Sequence, residues 1–401
     1  MAVRLLCVLV ALLLAGCSSV EPESPPAVSW GSADFSSYVA MGTSVSMGIE
    51  SGGLLDQNQL ASAPALIAQQ AGANGGTFVQ PLVAFPGIPP LLHLASLNPL
   101  TLDRLPGAPP PGPYVARPAD GYDNLAISGA LVANAIARDS GAPYFDLVLQ
   151  GHGTMLRQTI AQNPTFITIE LGANDAILPL VAGGDLSLLI SPPAFQAQYA
   201  QLLDSLALNA PQAKLALANV PQVTRLPYAA AVPLDAAVPG VGVVRLHDAA
   251  GPLPDGSLIL LPAVPLIRAG YGVGPPLPDS LVITLAERAA IENAVAGYNQ
   301  AIAAEAQARG AALVDQFALF ERLAQTGVEV PGVHFSFRYV TGGLFGLDGI
   351  HPSSLGSALL ANTFLEAINA KFGARIPPAD LGAAPNPYGG DLSRTGDSSA
   401  W

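Results

Sequence analysis

The chain has 401 residues, of which 50% are hydrophobic and 11% are charged, with 16 Lys and Arg against 29 Asp and Glu. A net charge of −13 argues against nucleic acid as a partner and against electrostatic docking on anionic lipid. The length allows one large domain or two small ones, and the apolar content is sufficient for a sizeable core.

The first residues resemble an export signal. Arg4 precedes an apolar run over residues 5–14, which is too short to span a bilayer, and Leu14-Ala15-Gly16-Cys17 follows. This segment resembles the lipobox of bacterial lipoproteins. The resemblance implies that residues 1–16 are removed as a signal peptide, that Cys17 is acylated, and that the lipid anchors the protein to a membrane of the cell envelope. An ordinary signal peptide or a buried helix is the alternative.

Cysteine usage agrees with this interpretation. Cys7 lies in the apolar run and leaves with it, and Cys17 carries the lipid, so the mature chain has neither a disulfide nor a thiol nucleophile. Ser18 after the cysteine, in place of Asp, indicates sorting to the outer membrane where the source has one. Residues 17–33 are interpreted as the lipidated cysteine and a tether, because residues 21–32 contain several prolines and no core-forming pattern.

Apolar runs and helical periodicity predict alternating strands and helices in the rest of the chain. The strands are expected at residues 37–41, 165–171, 214–220 and 313–315, with a further apolar stretch at 122–127. The helices are expected at residues 59–71 (with Pro64 as an alternative start), 130–138, 193–208, 285–310 and 353–372. Two segments rich in Pro and Gly, 81–118 and 221–279, are expected to be long irregular loops that wall the ligand site.

The alternation predicts an α/β fold with a mostly parallel sheet that is covered on both faces and carries long loop insertions. One domain is expected over residues 34–375, followed by a flexible tail over 376–401. Ligands of such sheets lie beyond the carboxyl ends of the strands. Ser44 and Asn174 both follow a predicted strand and are therefore expected at that edge.

Three short motifs together predict nucleophilic catalysis. Gly42-Thr43-Ser44 supplies a serine after the first strand, and Asp348-Gly349-Ile350-His351-Pro352 supplies a carboxylate and an imidazole before the last helix. Serine needs an imidazole to accept its proton, and the imidazole needs a carboxylate that fixes its tautomer. A turn with this spacing lets Asp348 reach Nδ1 of His351. An isolated Asp-x-x-His is more often an ordinary loop, and the other motifs overturn that interpretation here.

An acyl-transfer reaction also needs donors for the oxyanion that develops in the transition state. Three groups are expected to serve: the backbone N–H of Ser44, the backbone N–H of Gly129, and the side-chain amide of Asn174 in Gly172-Ala173-Asn174-Asp175. A cap or a bridge between loops is the alternative role of Asn174.

Four segments resemble the four blocks of the GDSL/SGNH hydrolase family: residues 38–44, 124–129, 172–175 and 348–352. The resemblance implies a flavodoxin-like three-layer α/β/α fold and hydrolysis of esters. No metal or organic cofactor is expected, because the sequence contains neither a metal motif nor a phosphate-binding glycine loop. It implies Ser44 as the nucleophile, His351 as the base and Asp348 as its orienting group, with Ser44, Gly129 and Asn174 as the oxyanion hole. Thr43 stands where the family usually has Asp.

The predicted function is a serine esterase or lipase that hydrolyses carboxylic esters of lipids or acylated carbohydrates through an acyl-serine intermediate. An acyltransferase or a polysaccharide deacetylase of the envelope uses the same triad and remains an alternative. A surface-binding lipoprotein with a decayed site is a second alternative, favoured only by Thr43. Gly396-Asp397-Ser398 repeats the nucleophile motif in the tail without a preceding strand, and the remaining histidines show no metal-ligand spacing.

Overall fold

The computed structural model describes residues 27–383. Most of the longer strands are apolar runs that begin after a turn. The strands are β1 Tyr38–Gly42, β2 Ile49–Glu50, β3 Gly53–Leu54, β4 Leu92–Leu97, β5 Leu100–Arg104, β6 Phe166–Glu170, β7 Lys214–Ala218, β8 Asp235–Val238, β9 Gly242–Arg245, β10 His247–Asp248, β11 Gly251–Pro252, β12 Leu258–Ile259, β13 Val282–Ile283, β14 Ala312–Val314, β15 Val328–Val330 and β16 Val333–Phe335.

Helices separate the main strands. They are α1 Ser44–Met47, α2 Asp56–Leu60, α3 Ala63–Ala71, α4 Val132–Ala137, α5 Pro143–Leu149, α6 Met155–Ala161, α7 Ala173–Val181, α8 Pro192–Asn209, α9 Pro227–Ala230, α10 Val264–Arg268, α11 Leu285–Arg309, α12 Gln316–Thr326 and α13 Ser354–Phe372. The longest, α11, begins with a capping box between Thr284 and Glu287 and ends at Gly310 in the left-handed conformation, which are ordinary start and stop signals.

The central sheet is parallel and has the strand order β1-β6-β7-β14. Residues 123–127 run beside β1 without forming a regular strand: Ala40 N–H donates to Asp123 O at 2.8 Å, and Leu125 N–H donates back to Ala40 O at 2.9 Å. Counting this segment as the second strand gives the order 2-1-3-4-5, which is that of flavodoxin-like folds. The predicted fold class is confirmed.

Both faces of the sheet are covered, and β1 and β6 are buried along their whole length. The last helix, α13, packs against α3 and β14, whereas α8 packs against α4, α6 and α11. The two groups of helices form the outer layers around the sheet. Strands buried on both faces need no polar alternation, which is why they read as continuous apolar runs in the sequence.

The two predicted irregular loops contain secondary structure, which corrects that expectation. Residues 81–118 include the antiparallel hairpin β4–β5, and residues 221–279 include α9, α10 and the hairpin β8–β9. The second segment also has its own small apolar core, formed by buried residues that include Leu246, Ile259 and Leu277. The predicted helix over residues 59–71 divides into α2 and α3, and Pro64 lies in the first turn of α3.

Both ends of the described chain are docked on the domain. Ser29 and Arg375 exchange backbone hydrogen bonds, and Trp30 Nε1 donates to Ala71 O at 2.8 Å, so the end of the predicted tether is docked on the domain. Ile376 and Ala379 are buried and bonded to side chains of α13, so the start of the predicted tail is docked as well. The signal peptide, Cys17 and the rest of both segments lie outside the described residues.

Candidate active site

The nucleophile candidate lies where the sequence predicts it, directly after β1. Ser44 is the first residue of α1 and is only 7% exposed. The first N–H groups of a helix have no intrahelical acceptor. Within residues 27–383, the N–H of Ser44 donates to no other group, so it is free to bind an oxyanion.

A buried carboxylate supports this turn from the neighbouring strand. Thr43 Oγ1 donates to Glu170 Oε2 at 2.8 Å, Thr43 N–H donates to the same oxygen at 3.1 Å, and Ser46 Oγ donates to it at 3.1 Å. Glu170 is the last residue of β6 and is 2% exposed. Burial raises the pKa of Glu170, although the hydrogen bonds from Thr43 and Ser46 act in the opposite direction. Glu170 thus fixes the residues on both sides of Ser44.

The acid–base pair forms in a tight turn before α13. His351 Nδ1 donates to Asp348 Oδ2 at 2.9 Å, and Asp348 Oδ1 accepts the backbone N–H groups of Ile350 at 2.8 Å and His351 at 2.9 Å. Gly349 between them has φ +71°, and a Cβ there would lie 2.9 Å from the backbone nitrogen of Tyr228. Only glycine fits this turn, because the conformation and the close approach both exclude a side chain.

Asp348 is held as a carboxylate. Burial alone would raise its pKa, but the neighbouring His351 and the hydrogen bonds from His351 and Ile350 together hold the pKa of Asp348 below its usual value. A further donor, the N–H of Gly52 in the turn between β2 and β3, lies 2.5 Å from Asp348 Oδ2. An ionised Asp348 fixes the His351 tautomer that leaves Nε2 free to accept a proton.

The three predicted oxyanion donors come from three strand ends. Asn174 follows β6 in the first turn of α7, and its Nδ2 donates to Ala130 O at 2.9 Å. An amide nitrogen carries two protons, so one remains for a substrate. Gly129 has φ +80°, and its N–H donates to no group in the described part of the chain. The hydrogen bond from Asn174 Nδ2 to Ala130 O therefore links the side chain of Asn174 to the residue that follows Gly129.

A cavity of about 40 Å³ brings the two sides of the site together. Ser44 and Asn174 line it, as do Ile350 and Pro352, the neighbours of His351. Gly129 is not among the lining residues, but Ala130, the next residue, accepts the hydrogen bond from Asn174, which is. No hydrogen bond joins Ser44 Oγ to His351 among the described residues. Such catalytic bonds are often long without substrate and shorten when the substrate binds.

Sequence reasoning missed three supporting groups: Glu170, Gly52 and Glu50. Glu50 is 3% exposed, accepts from Ser354 Oγ at 3.1 Å, and has a pKa raised to about 8, mainly by burial, with Asp348 adding to the shift. A charged residue at the end of an apolar strand was the available signal for Glu170. Nothing local marks Gly52, because the turn that it occupies meets Asp348 only in the folded chain.

Residues 27–383 contain no group of three or more His, Cys, Asp or Glu side chains that could hold a metal ion. Gly396-Asp397-Ser398 lies outside the described residues, as does Cys17. Within those same residues, no helix has both the length and the apolarity needed to cross a membrane.

A flavodoxin-like sheet with Ser44, Asn174 and an Asp–His pair beyond its strand ends is the architecture of a serine ester hydrolase. The model of the GDSL-like lipase/acylhydrolase family matches residues 38–364. The chain belongs to this family and is a carboxylic ester hydrolase. Both the predicted family and the predicted enzyme class are confirmed.

Several solved structures resemble the chain at low sequence identity. An extracellular lipase from Streptomyces rimosus is 16% identical, with 83% of this chain and 98% of that chain covered and a TM-score of 0.36. A catalytic mutant of an acetylxylan esterase from Geobacillus stearothermophilus is 12% identical (82% and 93% covered, TM-score 0.39). A phospholipase A1 from Streptomyces albidoflavus NA297 is 15% identical (83% and 98% covered, TM-score 0.35). No curated protein sequence matches the chain.

Proposed function

We propose that the chain is a lipid-anchored esterase of the cell envelope that hydrolyses carboxylic esters through an acyl-Ser44 intermediate. The observation that carries the catalytic assignment is the cavity shared by Ser44, Asn174 and the turn of His351, with Asp348 bonded to Nδ1 of the imidazole. The family match supports hydrolysis and does not favour a decayed binding protein.

The arrangement of these groups supports the following proposed reaction. His351 Nε2 takes the proton of Ser44 as Oγ attacks the ester carbonyl, and the oxyanion receives hydrogen bonds from Ser44 N–H, Gly129 N–H and Asn174 Nδ2. His351 then gives its proton to the departing alcohol, which leaves acyl-Ser44. Water attacks the acyl group with His351 again as the base, and the acid departs with Ser44 restored. Asp348 stays ionised throughout and stabilises the imidazolium.

Ser44→Ala tests the nucleophile. We expect activity on a p-nitrophenyl ester to fall by about 10⁴ or more, with unchanged melting temperature and no labelling by a fluorophosphonate. Ser398→Ala is the matched control, because the sequence before its motif predicts no strand, and it should keep full activity and labelling. Full activity of purified Ser44→Ala would overturn the assignment.

The anchor is supported by Leu14-Ala15-Gly16-Cys17 and by the absence of any other cysteine in the mature chain. Cys17→Ala should block lipidation and leave the precursor uncleaved at this site, so it should appear as the longer, unlipidated form on a denaturing gel. A chain that starts near Glu21 should be soluble and fully active on a short-chain ester, because every proposed catalytic residue lies beyond it. Loss of that activity in a folded protein would show that the leading segment belongs to the catalytic unit.

A further inference from the structure

A second and larger cavity, of about 700 Å³, is lined in part by the same chain segment as the catalytic cavity. The segment from residue 223 to 227 forms a shared wall: Val223 and Leu226 face the catalytic cavity, whereas Thr224 and Arg225 face the larger one. A ring contact between Phe320 and Phe337, with centroids 5.9 Å apart, forms another part of this wall.

Three arginines line the larger cavity, which we call the arginine cavity: Arg225, Arg288 and Arg338. None of the described residues that line it is an Asp or a Glu. This is unexpected in a chain with a net charge of −13 and only 16 basic residues. Ser336 and Thr341 add hydroxyl groups to the same wall. The lining therefore offers positive charge and hydrogen-bond donors.

Two of the arginines already have acidic partners outside the lining. Arg225 pairs with Glu321 at 2.7 Å, and Arg288 pairs with Glu292 at 2.8 Å. The guanidinium of Arg338 makes no hydrogen bond or ion pair with any described residue, and this residue is exposed. A free guanidinium has five N–H donors in a planar fork that matches a carboxylate or a phosphate. Arg338 is thus the group that is available to a ligand.

The loop that carries Arg338 is fastened to the catalytic turn. Its ends are closed by Ser336 N–H, which donates to Gly342 O at 2.8 Å. Tyr339 OH donates to Leu347 O at 2.5 Å, directly before Asp348. Across the cavity, Tyr228 N–H donates to Gly349 O at 2.9 Å within the same turn. The arginine cavity therefore adjoins the His351 side of the active site.

We infer that the arginine cavity binds an anionic group, a carboxylate or a phosphate, carried by the alcohol part of the ester. This inference depends on the proposed esterase function. The leaving oxygen takes its proton from His351, so the alcohol part must lie on the His351 side. The catalytic cavity of about 40 Å³ has room for only a small group. A larger substrate extends beyond this cavity, and the inference places the charged end of its alcohol part past the shared wall, in the arginine cavity.

The test compares esters that differ in charge. The substrates are 4-acetoxybenzoate, its neutral methyl ester, and 4-acetoxyphenyl phosphate, each assayed with the wild type, Arg338→Gln and Arg338→Glu. Arg157→Gln is the matched control, because Arg157 lies on α6 and does not line the cavity. Each variant is compared with the wild type on the same substrate, so differences in intrinsic reactivity cancel.

We expect Arg338→Gln to lower kcat/KM for the anionic esters by about 10- to 100-fold, mainly through KM, since hydrogen bonds to charged groups contribute that much. Arg338→Glu should have a larger effect, and the neutral ester should be unaffected in both variants. Whichever of carboxylate and phosphate is more sensitive identifies the natural anion. If the Arg338 substitutions affect charged and neutral esters equally, or affect neither, the anion site is refuted and the esterase function is not. Failure of the wild type to cleave any of the three would overturn the esterase function with it.

Discussion

The two sides of the active site are each supported by a buried carboxylate, and the environments of the two carboxylates differ. Asp348 faces His351 and three backbone N–H groups, and its pKa is lowered. Glu170 faces the hydroxyl and N–H groups of Thr43 and Ser46 with no cation among its hydrogen-bond partners, and its pKa is raised. On the acid–base side, the buried carboxylate of Asp348 is thus stabilised by a basic side chain and by backbone N–H groups. On the nucleophile side, the buried carboxylate of Glu170 has only uncharged hydrogen-bond donors among its described partners.

This difference explains why position 43 holds a threonine where the family usually has an aspartate. A carboxylate at position 43 would lie against the carboxylate of Glu170, and two buried like charges at hydrogen-bond distance cannot both ionise. Threonine supplies a donor instead, and the carboxylate comes from β6. Threonine in place of the usual aspartate therefore keeps the turn around Ser44 intact. It gives no support to the interpretation of the chain as a binding protein with a decayed site.

Asp348→Asn should break the acid–base side and have the largest effect. An amide at this position can hold His351 in the wrong tautomer, and loss of the orienting carboxylate in a triad typically costs about 10⁴ in kcat. The fold should persist, because the amide oxygen still accepts the backbone N–H groups of the turn. The check is kcat on a short-chain ester together with the melting temperature. Activity within tenfold of the wild type would show that Asp348 does not orient the base.

Asn174→Ala probes the donors on the nucleophile side. We expect kcat to fall by about 10²–10³ with little change in KM, because one oxyanion donor acts mainly in the transition state. Asn209→Ala is the control, since the side chain of this exposed asparagine at the end of α8 bonds, among the described residues, only to Ser205 O in its own helix. A rise in KM at constant kcat would mean that Asn174 binds substrate without stabilising the oxyanion.

Thr43→Asp sharpens the comparison by placing a second carboxylate beside Glu170. We expect kcat to fall by about 10²-fold, as for a displacement of reacting groups by 1 Å, with a lower melting temperature. Thr43→Asp combined with Glu170→Gln removes the like charge and should recover at least part of both losses. Thr43→Val, which removes only the hydroxyl, separates the lost donor from the added charge. A double variant no better than Thr43→Asp alone would refute the like-charge explanation.

The sequence predicted the parts of the site that local patterns encode. Ser44 follows an apolar strand, and Asp348 and His351 are three residues apart in one turn, so spacing and strand ends were sufficient to predict where they lie. Their catalytic roles stay predictions. Glu170 and Gly52 were missed because their roles arise from contacts across more than a hundred residues. The hairpin β4–β5 was missed because its half-exposed residues lie among prolines and lack the apolar run of a core strand.

Substitution of Glu50 is expected to have the smallest effect on activity and the clearest pH-dependent effect on stability. It lies on the acid–base side, and burial raises its pKa from 4.5 to about 8, so it is largely protonated at neutral pH. Glu50→Gln should therefore change kcat at pH 7 by less than about twofold, because the amide resembles the neutral acid, in contrast to Asp348→Asn. A large loss of activity at pH 6 would mean that Glu50 acts as a carboxylate in the reaction.

The sign of the stability effect follows from the direction of that shift. A carboxyl whose pKa is higher in the folded state binds its proton more tightly there, so its contribution to stability is complete below pH 4.5 and is lost as pH rises to about 8. At about 1.4 kcal/mol per pKa unit, the loss amounts to a few kcal/mol. Glu50→Gln should remove this loss, so its free energy of unfolding should exceed that of the wild type increasingly from pH 5 to pH 8.

Glu366→Gln, an exposed change on α13, is the control and should leave the curve parallel to the wild type. Denaturant unfolding of the three proteins across that range measures the difference, and a Glu50→Gln curve parallel to the wild type would show that Glu50 is already ionised in the folded protein.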